Sequence, residues 1–146
     1  MNSKRLFFVG LVLAGCLALG QAVPRQGVQK KIKFPEYDSQ TGKIKSLLMG
    51  EQAVPQANGS ILIKGVRLET YVYDGSVRKA DLIIEAPQCF FSFRTRIASS
   101  PGAMRVSRAD GSASISGRGF TWSQRDSVLV ISNRVRTIMQ SGFKVE

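Results

Sequence analysis

The 146-residue chain contains no histidine and only two cysteines, Cys16 and Cys89. The absence of histidine removes the commonest general base and metal ligand of enzymes. Cys89 lies in an alternating apolar segment with no histidine to activate it, which favours a structural thiol. The carboxylates stand singly, on predicted outward faces or in turns. We therefore expect a binding or scaffold domain and no enzyme, with no cofactor and no metal site.

Acidic residues are scarce as well. The chain has 21 lysines and arginines against 10 aspartates and glutamates, a formal net charge of +11. The basic residues are spread through the predicted strands and do not form one tail. Such an excess attracts polyanions or anionic head groups within a Debye length of about 8 Å at physiological salt. A solvated basic surface is the alternative interpretation.

The one long apolar run lies at the N terminus. Two basic residues precede residues 6–20, and a small-residue exit follows at residues 20–22; this layout is typical of an export signal cleaved after Ala22. The run is shorter than the roughly 20 residues of a relaxed membrane span, yet its extension to Val23 leaves an uncleaved anchor open. Residues 13–16 also resemble a lipobox, which makes Cys16 a candidate lipidation site. Each alternative places the remaining chain outside the cytoplasm.

The composition divides the chain into three segments. Residues 1–22 form the signal or anchor, residues 23–40 a polar lead-in or linker, and residues 41–146 one folded domain, large enough to bury a core without disulfides. Within the lead-in, residues 30–34 are a candidate edge strand, with a proline on either side that opposes regular structure there.

The hydrophobic period after Gly42 is two. Apolar and polar residues alternate over residues 66–73, 80–86 and 89–97, as in strands with one face inward. No segment of about 11 residues carries a helical apolar stripe, so we expect essentially no helix in the domain.

Turn dipeptides separate these alternating segments. Asn58-Gly59, Asp74-Gly75 and Asp110-Gly111 suit tight hairpins, and Asp126-Ser127 is a weaker fourth. A further break is expected over residues 99–102. The spacing between these turns along the sequence predicts an all-β fold of about eight or nine strands in one antiparallel meander. The absence of βαβ alternation argues against a parallel sheet.

Residues 111–139 resemble the periplasmic proteins of lipopolysaccharide export, the LptC and LptA (OstA-like) family. These residues resemble the repeat of that family: a strand, a strand that contains glycine, a polar turn, and a strand that ends in a pattern such as Ile131-Ser132-Asn133-Arg134-Val135. Residues 41–43 and 65–69 look similar, and the likeness extends over residues 34–139. It implies an open β-jellyroll in the periplasm or cell envelope.

The resemblance also implies ligands and partners. The apolar inner face would carry the acyl chains of lipopolysaccharide, and strand edges would pair head to tail with neighbouring jellyrolls. A retained anchor points to the LptC branch, which docks on an inner-membrane ABC transporter, whereas a cleaved signal points to the soluble LptA branch.

The candidate site residues fall into two groups. The inner-face candidates, which either bind acyl chains or fill a closed core, are Val66, Leu68, Val72, Leu82, Ile84, Phe91, Phe93, Ile115, Trp122, Val128 and Val130. The candidate cations of a head-group rim, or simply solvated outward residues, are Arg67, Arg94, Arg96, Arg118 and Arg125.

Two other classes compete with lipid transport. Residues 90–94 and 118–122 interleave aromatic and basic residues as nucleic-acid stacking platforms do, but the export signal argues against a nucleic-acid partner. Residues 117–119 are glycine-rich without a following helix, so they do not match a helix-based phosphate loop. An envelope lipoprotein with a structural or partner-binding role is the third class, and it depends on Cys16.

Overall fold

The computed structural model describes residues 27–140, so the signal, anchor and lipidation predictions lie outside the described residues. These residues form seven strands: β1 (Gln29–Tyr37), β2 (Ile44–Pro55), β3 (Ile61–Asp74), β4 (Val77–Ser92), β5 (Ile97–Arg108), β6 (Ala113–Ser123) and β7 (Val128–Met139). Each strand pairs antiparallel with the next in one sheet of order β1 to β7. The sheet is open, with β1 and β7 as its edges. The all-β prediction is confirmed, and residues 27–140 contain no helix.

The strand count is lower than the eight or nine expected, because the strands are long and bend without ending. The break expected over residues 99–102 lies inside β5, at a register shift between Ser100 and Ala103. The true β4–β5 turn covers residues 93–96, where no glycine marks it. β4 likewise runs through Pro87 at a second register shift, where an irregular ladder tolerates proline.

The four predicted turn dipeptides do connect consecutive strands. The glycines of the first three turns have φ of 82°, 61° and 77°, and Ser127 in the fourth has φ of 54°. These are the left-handed conformations that the dipeptides accommodate. The candidate edge strand at residues 30–34 is also present, as part of β1. The expectation that Pro35 opposes regular structure is wrong, because β1 continues through Pro35 to Tyr37 and an edge strand tolerates proline.

A line of backbone irregularities crosses all seven strands near their middle. The residues at or beside the interruptions in strand pairing along this line are Lys31, Gly50, Gly65, Pro87, Gly102, Gly119 and Arg134. Four of them have positive φ, and register shifts accompany the line from β4 to β7. Because bulges and kinks bend strands, this kink line folds the sheet onto its apolar face.

One face of the sheet supplies the core. The buried apolar residues form a single cluster of Ile32, Leu48, Ala53, Ile63, Val66, Leu68, Ile84, Ala86, Cys89, Phe91, Ala98, Met104, Val106, Phe120 and Trp122. Gly50 sits inside this cluster, where a Cβ would collide with Ile63 and lie 3.2 Å from Ile32. Close packing at the kink line therefore requires glycine there.

The fold brings β1 against the far ends of the later strands. Phe34 stacks on Phe91 with ring centroids 5.5 Å apart. Arg96, in the β4–β5 turn, pairs with Glu36 at 2.7 Å. Gln124 Nε2, beyond β6, donates to Phe34 O at 3.4 Å. We call these five residues the β1 seam; side chains hold it together, since β1 pairs by backbone only with β2.

Candidate functional site

Seven of the eleven inner-face candidates lie on the core face of the sheet. Val66, Leu68, Ile84, Phe91 and Trp122 are at most 5% exposed. Leu82 and Ile115 are partly buried and pack against the same cluster. The alternation in β3, β4 and β6 therefore predicted the inward side of these strands correctly.

The face predicted for β7 is wrong. Val128 and Val130 are 51% and 55% exposed. Trp122 is paired in register with Leu129, and Phe120 with Ile131, and directly paired residues share a face. Leu129 and Ile131 therefore pack on the core. The prediction was off by one residue, and a shift of one residue exchanges the two faces of a strand.

Val72 and Phe93 are half exposed, at 50% and 45%. Val72 lies near the end of β3, just before its turn. Phe93 lies beyond β4 in the β4–β5 turn and contacts Phe34 edge-on, with centroids 4.9 Å apart. It also meets Phe91 edge-on at 5.2 Å. Phe93 thus covers the aromatic part of the β1 seam and does not line the sheet.

The interior is filled by its own side chains. Phe91, Leu48 and Ile63 are completely buried. Three of the accessible inner-face candidates, Val72, Leu82 and Ile115, lie toward the sheet end that carries the β3–β4 and β5–β6 turns. We call these three residues the apolar mouth. A ligand for the core face would first meet the protein there.

Two of the predicted rim arginines are committed to carboxylates. Arg67 Nε is 2.8 Å from Glu69 Oε1, and its Nη1 is 3.1 Å from Glu85 Oε1. Burial acts to raise the pKa of Glu69, but hydrogen bonds from Arg67 and Tyr71 outweigh it and hold that pKa below its usual value. Arg96 belongs to the β1 seam. Neither is a free head-group cation.

The remaining three rim candidates are exposed but do not form one rim. Arg125 Nη2 donates to Arg94 O at 3.3 Å, because the β4–β5 and β6–β7 turns are adjacent. Lys45 Nζ donates to Arg125 O. Lys45, Arg94 and Arg125 therefore form a basic cluster, which the sequence did not indicate as a group. Arg118 lies next to the kink line and lines the same depression as Arg134. The sequence analysis did not single out Arg134. No salt bridge involves Arg94, Arg118 or Arg125 within residues 27–140.

Cys89 is fully buried in the core cluster. Burial raises the pKa of its thiol to about 12, because the charged thiolate is penalised where water is excluded. The thiol is therefore protonated and inert at neutral pH, as a structural cysteine is.

The proposed nucleic-acid platforms are largely inaccessible. Phe91, Phe120 and Trp122 point into the core and are at most 3% exposed. Phe90 and Phe93 remain accessible, at 39% and 45%. Two separated rings do not make the continuous stacking surface that single-stranded binding uses.

No protein-family model matches the chain, and no curated protein matches it in sequence. Over the described range, no helix is long and apolar enough to cross a membrane. In the same range, no three histidine, cysteine or acidic side chains are grouped to hold a metal ion. The geometry defines an open, kinked antiparallel sheet with one apolar face and two unequal edges.

Proposed function

We propose that this chain is a cell-envelope component of lipopolysaccharide export that holds acyl chains against the apolar face of its folded sheet. The observation that supports this function is the continuity of that face across an open sheet. Ile32 on β1, the buried residues of β2 to β6, and Leu129 with Ile131 on β7 belong to one cluster. A single apolar strip across seven strands matches the shape of extended hydrocarbon chains.

Access to this face begins at the apolar mouth. Because Phe91, Leu48 and Ile63 are completely buried, an acyl chain reaches them only if the folded sheet opens along its kink line. The β1 seam ties β1 to the β4–β5 turn and includes none of the mouth residues, so we expect the core face to open at the mouth. Lys79, paired in register with Val72, places a cation at this end of the sheet; its 3.2 Å pair with Asp74 is exposed, so a phosphorylated head group can compete for it.

A photo-crosslinking amino acid at Ile115, in the full chain expressed in lipopolysaccharide-producing cells, tests this function. Capture of lipopolysaccharide at Ile115 is expected, because its side chain lies on the core face at the mouth. Ser116 is the matched control, since it is the next residue, is exposed and points to the other face. Equal labelling at both positions, or labelling at neither, would argue against a lipid-binding interior.

A further inference from the structure

Three depressions adjoin on the β4–β7 half of the sheet. The largest, of 550 Å³, is lined by Pro101, Arg118, Asn133 and Arg134. A second, of 350 Å³, shares Pro101 and Asn133 with it and extends to Ser99. Because they share lining residues, the two form one continuous concavity across β5, β6 and β7.

The third depression continues the concavity toward β4. It has a volume of 410 Å³, shares Ser99 with the second and reaches the exposed ring of Phe90. Phe90 pairs in register with Ser99, and Ser99 with Thr121, so these residues share the face opposite the core. We call the whole concavity, from Phe90 to Arg134, the outer groove. It crosses four strands, which at about 4.8 Å per strand is roughly 14 Å.

The chemistry of the outer groove changes along its length. One end has the ring of Phe90, which is 39% exposed. The depression around this ring is also lined by Asn58, Ser60, Phe91, Ser92, Thr95 and Ile97. The middle of the groove carries the small polar side chains of Ser99, Thr121 and Ser132. The other end carries Arg118 and Arg134, and no acidic residue lines any of the three depressions. Neither arginine has an ion-pair partner within residues 27–140.

The backbone fixes the arginine end. Arg134 has φ of 53°, a left-handed conformation that is unfavourable for a residue with a side chain and that recurs at functional sites. The register shift between β6 and β7 creates this bend beside Arg118, whose partner in register is Asn133. On the other side of Arg118, Gly119 has φ of 76°, and a Cβ there would lie 3.2 Å from Ser132. The positive φ angles of Gly119 and Arg134 therefore set the course of the backbone that carries the Arg118 and Arg134 side chains.

We infer that the outer groove binds a short oligosaccharide that carries an anionic group, a carboxylate or a phosphate, at one end. The ring of Phe90 stacks on the apolar face of a sugar, the hydroxyl and amide groups hydrogen-bond to the sugar hydroxyls, and the two guanidiniums bind the anion. Arginine suits this role because its planar fork pairs bidentately with carboxylate and phosphate. The inference is independent of lipid binding, which uses the opposite face of the sheet.

The position of the charges favours a saccharide over a nucleic acid. A single-stranded nucleic acid carries one negative charge per nucleotide, and its protein sites present cations along the whole backbone. The middle of the outer groove has hydroxyl groups and no cation. A ligand with neutral rings and one charged end matches this distribution.

Binding of the full chain to an array of neutral, carboxylated and phosphorylated oligosaccharides of two to four rings tests the inference. The acidic members are expected to bind about tenfold more tightly than their neutral counterparts, because charge-assisted hydrogen bonds form at one end only. The double variant Arg118→Gln/Arg134→Gln should lose this preference while remaining folded. Phe90→Ser should weaken binding of neutral and acidic members alike.

Arg136→Gln is the matched control, because Arg136 is exposed on the same strand and lines none of the three depressions. It should leave the preference for acidic members intact. The inference is overturned if no oligosaccharide binds, if Arg136→Gln matches the double variant, or if single-stranded DNA displaces the saccharide and is held more tightly than any array member. Inorganic phosphate binding as tightly as a phosphorylated oligosaccharide would also overturn it, since the sugar rings would then contribute nothing.

Discussion

Arg96 and Glu36 are 60 positions apart in the chain, and their side chains meet with Arg96 Nη2 2.7 Å from Glu36 Oε2. Both side chains are less than 20% exposed. The same guanidinium donates to Pro35 O at 2.8 Å, and Arg96 itself has φ of 58°. One residue therefore shapes the β4–β5 turn and ties it to the edge strand β1.

Arg96→Met should lower the free energy of unfolding by about 1–3 kcal/mol, because it leaves the Glu36 carboxylate and the Pro35 carbonyl without a partner in a partly buried place. Urea denaturation measures the change. Arg108→Met is the control: its 3.2 Å pair with Asp81 is half exposed, so it should cost under about 1 kcal/mol. Equal losses in the two variants would mean that the β1 seam contributes no more than an ordinary surface pair.

Gly50→Ala should destabilise the fold by about 1–3 kcal/mol, because the added methyl group collides with Ile63 at the kink line. Gly102→Ala is the matched change on the same kink line. The φ of Gly102 lies outside the left-handed region, and an added Cβ would lie 3.3 Å from the flexible Ser100 Oγ. This change should therefore cost less. Thermal unfolding of both variants compares them. If Gly102→Ala is as damaging as Gly50→Ala, the collision with Ile63 is not what sets the requirement for glycine at position 50.

Burial of Cys89 predicts a loss of stability in alkali. Its pKa rises from 9.0 to about 12 on folding, so above pH 9 the unfolded chain releases a proton that the folded chain keeps. Stability is therefore complete below pH 9 and falls as pH rises toward 12. The pKa of Tyr71 rises from 10.0 to about 12 through burial and its hydrogen bond to Glu69, which adds to the loss above pH 10.

Cys89→Ala should therefore flatten the dependence of the unfolding free energy on pH between pH 9 and 10, where Tyr71 contributes little. Urea titrations at half-unit pH intervals measure this slope in both proteins. Alkylation of Cys89 by iodoacetamide at pH 8, followed on the peptide that carries it, should be slow in the native protein and fast in urea. Rapid alkylation without denaturant would show that the thiol is accessible, contrary to its burial.

The sequence predicts the features whose causes are local. Asn58-Gly59 and Asp74-Gly75 form turns because these residues accept positive φ wherever they stand. The face of β7 could not be predicted, since it depends on the register that pairs Trp122 with Leu129. The β4–β5 turn has no glycine signal because a long-range partner, Glu36, holds Arg96 in place. The outer groove depends on how four strands bend together, which no local pattern contains.

The two edges of the sheet differ in how well they are protected. β1 has three lysines and Pro35, and the carbonyls of Phe34 and Pro35 accept bonds from Gln124 and Arg96. β7 has neither proline nor acidic residues, and most of its 12 residues are exposed. Its valines at 128, 130 and 135 are each more than half exposed. A long exposed edge with apolar side chains is a template for another strand, so β7 is the edge that would pair with a neighbouring jellyroll in the proposed function.

Val135→Pro should weaken capture of a partner jellyroll while leaving the fold intact. Proline removes one backbone donor from the edge, and Val135 has no partner in β6, because the register passes from Asn133 directly to Arg136. The β6–β7 ladder should therefore survive the change. Val135→Thr is the matched control, since it keeps the β-branched shape and the backbone donor, and it should capture the partner as wild type does. Pull-down measures capture, and thermal unfolding confirms that both variants are folded. A folded Val135→Pro variant that captures its partner as well as Val135→Thr would show that docking occurs elsewhere on the sheet.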